Sequence, residues 1–230
     1  MTKLAPSLLK SIPAFDGMSL PQTQEALDLA RSRLVPAGKS VFEEGDAAES
    51  FFLLLDGHIR VERLNPEGDR VISLHIPAGQ LFGIAQALGR DTYPATSIAV
   101  VDCLILAWPM RLWQEFVDRY PGFGPEAYRT IGARVGEMNS RIMELATQRV
   151  EQRIASALFR LMQQHGRETD TGTEIAFPVT RRTISEMTGS TLHTVSRLLS
   201  AWERDRIVVS KRKHIHVLDA ARLEQLTQAD

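Results

Sequence analysis

The sequence lacks the residues that build several common protein classes. It has one cysteine, Cys103, among 230 residues. A lone thiol excludes an intramolecular disulfide, a zinc finger and any iron–sulfur cluster drawing several thiolates from this chain. No apolar run approaches the ~18 residues of a membrane-spanning helix. Met1–Ser11 has neither the apolar core nor the small-residue cleavage site of a secretory signal, so a cytoplasmic location is expected. Charge of one sign is also missing: 27 Lys and Arg face 28 Asp and Glu, a net of −1. That excludes a polybasic protein held to nucleic acid by bulk charge alone. No nucleophile–base pair, paired-carboxylate motif, metal-ligand spacing or phosphate loop stands out, so no enzyme is expected. What remains is an ordinary globular composition, 43% hydrophobic and 24% charged, long enough for one large domain or two small ones.

The near-zero charge hides a split. From Arg149 onward lie 13 of the 27 basic and 10 of the 28 acidic residues, so this stretch carries +3 and the rest −4. Twelve of 15 glycines and 10 of 11 prolines precede Thr147. That density of turn formers predicts many short strands first, then a helical part with a basic face.

Residues Pro21 to Leu34 read as a short helix, with Leu27, Ala30 and Leu34 at helical spacing. From Ser40 to Ala107 the period becomes two. Ile59 and Val61 alternate with Arg60 and Glu62, and Ile72, Leu74 and Ile76 alternate with Val71, Ser73 and His75. Ile98 to Ala107 is nearly all apolar, as for a strand buried on both faces. Turn signals at Glu44-Gly-Asp46, Asp56-Gly57, Asn65-Pro-Glu-Gly68 and Pro77-Ala-Gly79 separate these runs, which predicts an antiparallel sandwich or barrel. From Pro125 the period is helical again. Tyr128, Ile131, Val135, Met138, Ile142 and Leu145 form a 3-4-3-4-3 seam, with Arg134, Glu137, Arg141 and Glu144 off it. Such a seam calls for a partner helix, in a second copy or in the chain's own β-domain. Gly132 and Gly136 would let a partner backbone come close. A helix from Val150 to His165, a polar loop from Gly166 to Thr173, an extended Phe177-Pro-Val179, two helices, a hairpin from Ile207 to Leu218 and a helix from Ala220 to Leu226 complete the reading.

Thr180 to Arg204 fit a helix-turn-helix. The first helix is Arg181 to Thr188, and Gly189 sits where the turn needs positive φ. Ser185 is small where the helices touch, Ile184, Val195, Leu198 and Leu199 form their core, and Ser190 can cap the second helix. That helix then exposes Thr191, His193, Thr194, Ser196, Arg197 and Arg204. Arg197, His193 and Ser196 are the candidates for base-edge readout, and Thr180, Arg181, Arg182, Thr191 and Thr194 for the phosphate backbone. Lys211, Arg212 and Lys213 at the hairpin tip would form a basic wing on the backbone. The competing reading is an effector-binding or interaction module whose winged helix no longer touches DNA.

In this order the motifs resemble the Crp/Fnr family of bacterial transcription regulators. They are Glu44-Gly-Asp-Ala-Ala-Glu-Ser-Phe-Phe-Leu-Leu-Leu-Asp-Gly57, Ala78-Gly-Gln-Leu-Phe-Gly83, the long helix and Thr194-Val-Ser-Arg197. The resemblance runs from about Phe15 to Leu226. It implies an α+β fold in three parts: a cyclic-nucleotide-binding-like β-roll (a jelly roll) over 1–124, a dimerisation helix over 125–147 and a winged helix-turn-helix over 148–230. It also implies a homodimer on a palindromic operator in double-stranded DNA, RNA polymerase as a further partner and no membrane.

The sequence departs from the family in its effector residues. Members that bind cyclic AMP have a Glu after the glycine of the phosphate turn and an Arg-Ser pair further on. Here Ile84 follows Gly83, and Tyr93-Pro94 stands at the pair, with Arg90 as the nearby cation. These five residues outline the candidate effector pocket, and they argue against cyclic AMP, because a buried anion would be left unpaired. The cysteine cluster of the iron–sulfur members is absent, and Cys103 reads as structural. Haem, a third effector of the family, would take its axial ligand from His58 or His75. The effector stays unassigned. In the recognition helix His193 replaces the usual Glu. The wording Thr191-Leu-His-Thr-Val-Ser-Arg197 is similar to the nitrogen-oxide-responsive branch.

Overall fold

The computed structural model describes residues 5–228. They form two compact units, residues 5–63 with 74–136, and 64–73 with 137–228.

The first unit opens with α1 (Leu20–Asp28), started by a capping box. The Gln22 N–H donates to Ser19 Oγ, and Gln22 Oε1 accepts the Ser19 N–H at 2.9 Å. The helix stops at Asp28, short of the sequence expectation. Residues Arg31–Val35 form strand β1, and Leu34 is 80% exposed. Pairing with a later strand overrides a helical spacing that only three residues carried. Then come β2 (Ser40–Phe42), β3 (Ser50–Asp56), β4 (His58–Leu64), β5 (Arg70–Pro77), β6 (Leu81–Phe82), β7 (Thr96–Ala99) and β8 (Cys103–Pro109). They build two antiparallel four-stranded sheets, ordered β1-β8-β3-β6 and β2-β7-β4-β5.

The apolar stretch Ile98 to Ala107 is two strands. It breaks at Val100–Asp102, where Val100 N–H donates to the His58 carbonyl at 2.8 Å and Asp102 Oδ1 accepts the Ala37 N–H at 2.9 Å. Gly57 packs beside this turn at φ 101°. A Cβ there would lie 2.6 Å from Cys103 Sγ. Cys103 is buried, and burial pushes its thiol above the usual range, as for an inert core cysteine.

Strand β3 explains the layering. Its alternation sends Phe51 and Leu53 to one core and Phe52 and Leu54 to another. Phe51 meets Trp108, Trp113, Phe116 and Phe123 at centroid distances of 5.3–5.6 Å. This core ties the sheet to α1, to α2 (Trp113–Arg119) and to the start of α3 (Phe123–Thr147). Trp108 Nε1–H also donates to the Ala26 carbonyl at 2.7 Å.

The second unit takes the rest of α3, then α4 (Val150–His165), β9 (Gly166–Thr169), β10 (Gly172–Ile175), α5 (Arg181–Thr188), α6 (Leu192–Arg204), β11 (Val208–Lys211), β12 (His214–Val217) and α7 (Ala220–Gln228). The expected polar loop at Gly166–Thr173 is a hairpin. It extends the wing into a sheet ordered β11-β12-β10-β9. Its strands are short and polar, so no period marks them in the sequence. Ile154, Leu158, Leu161, Ile184, Val195, Leu199, Trp202, Val208, Ile215 and Leu223 are the buried centre.

The off-seam charges of α3 are not simply solvated. Arg160 of α4 binds Glu144 at 2.7 Å and approaches Glu137 at 3.7 Å, and Arg141 donates to the Ile72 carbonyl at 2.8 Å. These pairs hold the polar side of α3 on its own unit. The seam is left outward. Tyr128 is 63% exposed, Ile142 61% and Leu145 58%, and Val135 and Met138 are also exposed. Ile131 alone packs against the core of the first unit.

Candidate nucleic-acid interface

The sequence builds the second unit's exposed face from two capped helices and a turn. Thr180 caps α5 by accepting the Thr183 N–H at 3.1 Å. Gly189 ends α5 at φ 62°, its N–H bonded to the Ser185 carbonyl. The Ser190 N–H closes on the same carbonyl at 3.3 Å. The cap of α6 is Thr191, not Ser190: Thr191 Oγ1 accepts the Thr194 N–H at 3.1 Å. Ser190 belongs to the turn itself, one residue too early for a cap.

In α6 the buried positions are Val195, Leu198, Leu199 and Trp202. Their spacing leaves His193, Arg197 and Arg204 exposed on the opposite side, with Ser196 and Thr194 half-exposed. The readout candidates Arg197, His193 and Ser196 therefore share one helix and its outer side. The backbone candidates divide. Arg182 and Thr191 are exposed. Thr180 and Thr191 use their hydroxyls as caps, and each also hydrogen-bonds the second threonine of its pair at 2.9 Å. Arg181 is turned inward. It donates to Glu203 Oε2 at 3.2 Å and to the Ser196 carbonyl at 3.4 Å, so it ties the two helices together.

The wing places Lys211, Arg212 and Lys213 at an exposed tip, with Lys211 paired to His214. Arg212 and Lys213 have φ of 51° and 70°. A tight two-residue hairpin needs positive φ at both centres, which favours Asn-Gly. Two long basic side chains stand there at a conformational cost. On the wing sheet Glu174 lies between His216 at 3.2 Å, His214 at 3.4 Å and Arg167 at 2.5 Å. The hydrogen bond from Arg167 is the main reason its carboxyl sits below the usual range. Among the described residues no group of three or more His, Cys, Asp or Glu could hold a metal. Leu64, Asn65 and 68–71 line an open groove of about 670 Å³ together with Arg182, Gly189, Ser190 and Thr191, and Arg70 faces Glu186 at 3.8 Å.

In the first unit the candidate effector residues differ in burial. Tyr93 is buried, stacks on Phe42 at 3.8 Å, and bonds the backbone of Ser50 through its hydroxyl at 2.6 Å. Ile84 is buried, Pro94 is half-buried and Arg90 is exposed. Gly83 has φ 64°, and a Cβ on it would lie 2.6 Å from the Phe52 ring. His58 and His75 face each other, Nε2 to Nδ1 at 3.0 Å, with His58 buried. Sequence reasoning missed Glu174 and Glu203, whose partners come from other elements. The one local signal was an acid in the last turn of α6, where a cation is favoured.

An antiparallel β-roll followed by a winged helix-turn-helix defines a class, the DNA-binding regulators that carry a sensory roll. Residues 32–120 match the cyclic nucleotide-binding domain and residues 152–226 the Crp-like helix-turn-helix domain. The chain is 27% identical to the cyclic AMP receptor protein of Thermus thermophilus, over 95% of this chain and 98% of that one. It is 23% identical to the fumarate and nitrate reduction regulatory protein of Escherichia coli, over 86% and 79%. The structure of FixK2 from Bradyrhizobium japonicum has the same fold, with a TM-score of 0.76, 20% identity, and coverage of 87% and 98%. The chain belongs to the Crp/Fnr family of transcription regulators. No helix among the described residues is long and apolar enough to cross a membrane.

Proposed function

We propose that this regulator works as a homodimer that reads a palindromic promoter site with two copies of α6 and answers a signal received in its roll. The observation that carries this is the exposed seam of α3, whose polar side is already held by α4. Five outward apolar residues per helix, each stabilising by at most about 1.5–3 kcal/mol on full burial, supply a self-complementary face. A Cβ at Gly132 or Gly136 would meet nothing within 4 Å, which leaves room for a second backbone.

In the dimer each α6 enters one major groove, and the half-sites lie about one helical turn apart. Arg197 pairs with a guanine edge, His193 and Ser196 read beside it, and Arg182, Thr191, Thr194 and the wing meet phosphates. Arg181 serves the fold rather than the backbone. DNA-bound dimers would then recruit or exclude RNA polymerase.

The residues do not fit cyclic AMP. Tyr93-Pro94 stands where the resemblance puts the phosphate-binding Arg-Ser pair, the Tyr93 hydroxyl is already hydrogen-bonded to the Ser50 backbone, and Arg90 is the exposed cation nearby. Haem would take its ligand from the ring nitrogen of His58 or His75 that faces away from the pair, while the other nitrogen stays bonded to the second histidine. One cysteine cannot hold an iron–sulfur cluster. The signal in the roll would shift the two long helices of the dimer and re-aim the two recognition helices.

The test is selection of a binding site from a randomised duplex pool. Symmetric sequences with two half-sites are expected. Failure to enrich any sequence would favour an interaction module without DNA contact.

A further inference from the structure

Glu203 is an acid in an unfavourable place. It stands in the last turn of α6, where the helix dipole disfavours an anion, and it sits on a domain that meets polyanionic DNA. Both facts argue against an acid here, so its partners carry the explanation. Oε1 accepts the Ser210 N–H at 3.1 Å, and Oε2 accepts from Arg181 at 3.2 Å. Ser210 lies on β11, the edge strand of the wing sheet, one residue before Lys211. Arg181 is the first residue of α5 and also holds the Ser196 carbonyl. One carboxylate therefore joins the three elements that face DNA.

We infer that Glu203 is a positioning residue for DNA binding: it fixes the wing and α5 against α6, so that the wing's basic tip meets the phosphates while Arg197 reads the groove. The wing sheet has no other hydrogen bond from its edge strand to the side chains of α6 among those described. Without Glu203 the β11 edge regains a loose N–H and Arg181 loses its counter-charge. The tip then moves relative to the helix that it must assist. This rests on the DNA-binding reading above.

The sign of the effect separates positioning from plain charge. Removing a solvated carboxylate from a DNA-binding face raises affinity. Removing a positioning carboxylate lowers it. The probe is a random-sequence 30-base-pair duplex, because phosphate contacts need no operator. Four proteins are compared across salt: the wild type, E203A, the wing variant K211A/R212A/K213A, and the combination. E203A is expected to bind about tenfold more weakly, with the salt slope lowered by about one unit, as when a phosphate contact is lost. The combination should lose less relative to the wing variant than E203A loses relative to the wild type. Unchanged or tighter binding by E203A, or losses that multiply in the combination, would overturn the inference.

Hydrogen exchange gives a second arm that needs no DNA and no tolerance of alanine. The Ser210 amide of the wild type should exchange slowly and should speed up in E203A or, if that variant does not fold, in E203M, which also lacks an acceptor oxygen. A wild-type Ser210 amide exchanging as fast as a free edge amide would also overturn the inference. Wild-type protein that ignores the duplex overturns the DNA-binding reading itself, whereas the exchange result bears on Glu203 alone.

Discussion

The helices α3 and α6 are both amphipathic, yet they face their surroundings in opposite ways. α6 buries Val195, Leu198, Leu199 and Trp202 and leaves Arg197, His193 and Arg204 outside. α3 leaves Val135, Met138, Ile142 and Leu145 outside and turns Arg141 and Glu144 toward groups of its own unit. The difference shows what each helix awaits. An outward cationic face suits phosphates and base edges. An outward apolar face with its charges already paired suits another apolar face. Neither outcome follows from amphipathicity alone; it follows from which side the rest of the unit has covered.

The contrast breaks first at the α3 seam. Ile142→Glu would place two like charges across a self-complementary interface, which costs about 3 kcal/mol or more, a hundredfold or greater loss of self-association. Sedimentation of the purified variant should show single chains, and its preference for symmetric sites should fall with them. A variant that sediments as the wild type does would remove the seam from the account.

The α6 side is next. Arg197→Ala should lower discrimination between the selected site and random duplex by about 1–3 kcal/mol per half-site, while binding to random duplex changes little. Competition binding measures the ratio. An unchanged ratio would mean that Arg197 does not read bases.

The third test concerns α4, which holds the charged side of α3. His165 ends α4, packs its ring on Phe177 at 5.4 Å, and is pushed by burial from 6.5 down to about 4. Above pH 6.5 both folded and unfolded forms are neutral there, and the residue adds no pH dependence. Between 6.5 and about 4 the unfolded chain binds a proton that the folded one refuses, so stability falls by about 1.4 kcal/mol per pH unit. His165→Phe should flatten denaturant midpoints across that window. An equally steep fall in the variant would place the sensitivity elsewhere.

The smallest effect is at the wing turn. Arg212→Asn with Lys213→Gly relieves two positive-φ positions, and a gain of about 1 kcal/mol in stability is expected. Binding to random duplex should weaken and its salt slope should shrink. A variant both more stable and equally tight would show that the basic tip is not a phosphate contact.

Much of this was legible in the sequence wherever one element carries its own signal. The 3-4 spacing of α3, the glycine at 189, the core positions of α6 and the alternation of β5 all match the structure, because each is a local period or a local φ requirement. The misreadings share a different cause. Leu34 falls at helical spacing, yet β1 exists through pairing with β8. Ile98–Ala107 hid a turn that forms because Asp102 and Val100 bond to residues distant in sequence. The hairpin of β9 and β10 exists as an extension of the wing sheet. Arg181 and Arg182 look alike in the sequence, and only the position of Glu203 separates the tie between helices from the exposed cation. Tertiary partners decide such cases, and a period cannot report them.

The most direct test of the central claim is the stoichiometry on DNA. Native mass spectrometry of the protein with its selected site, and with a duplex carrying one half-site, gives the number of chains per duplex. The account predicts two chains on the symmetric site and sharply weaker binding to the single half-site. One chain per duplex, held equally well by both, would contradict it.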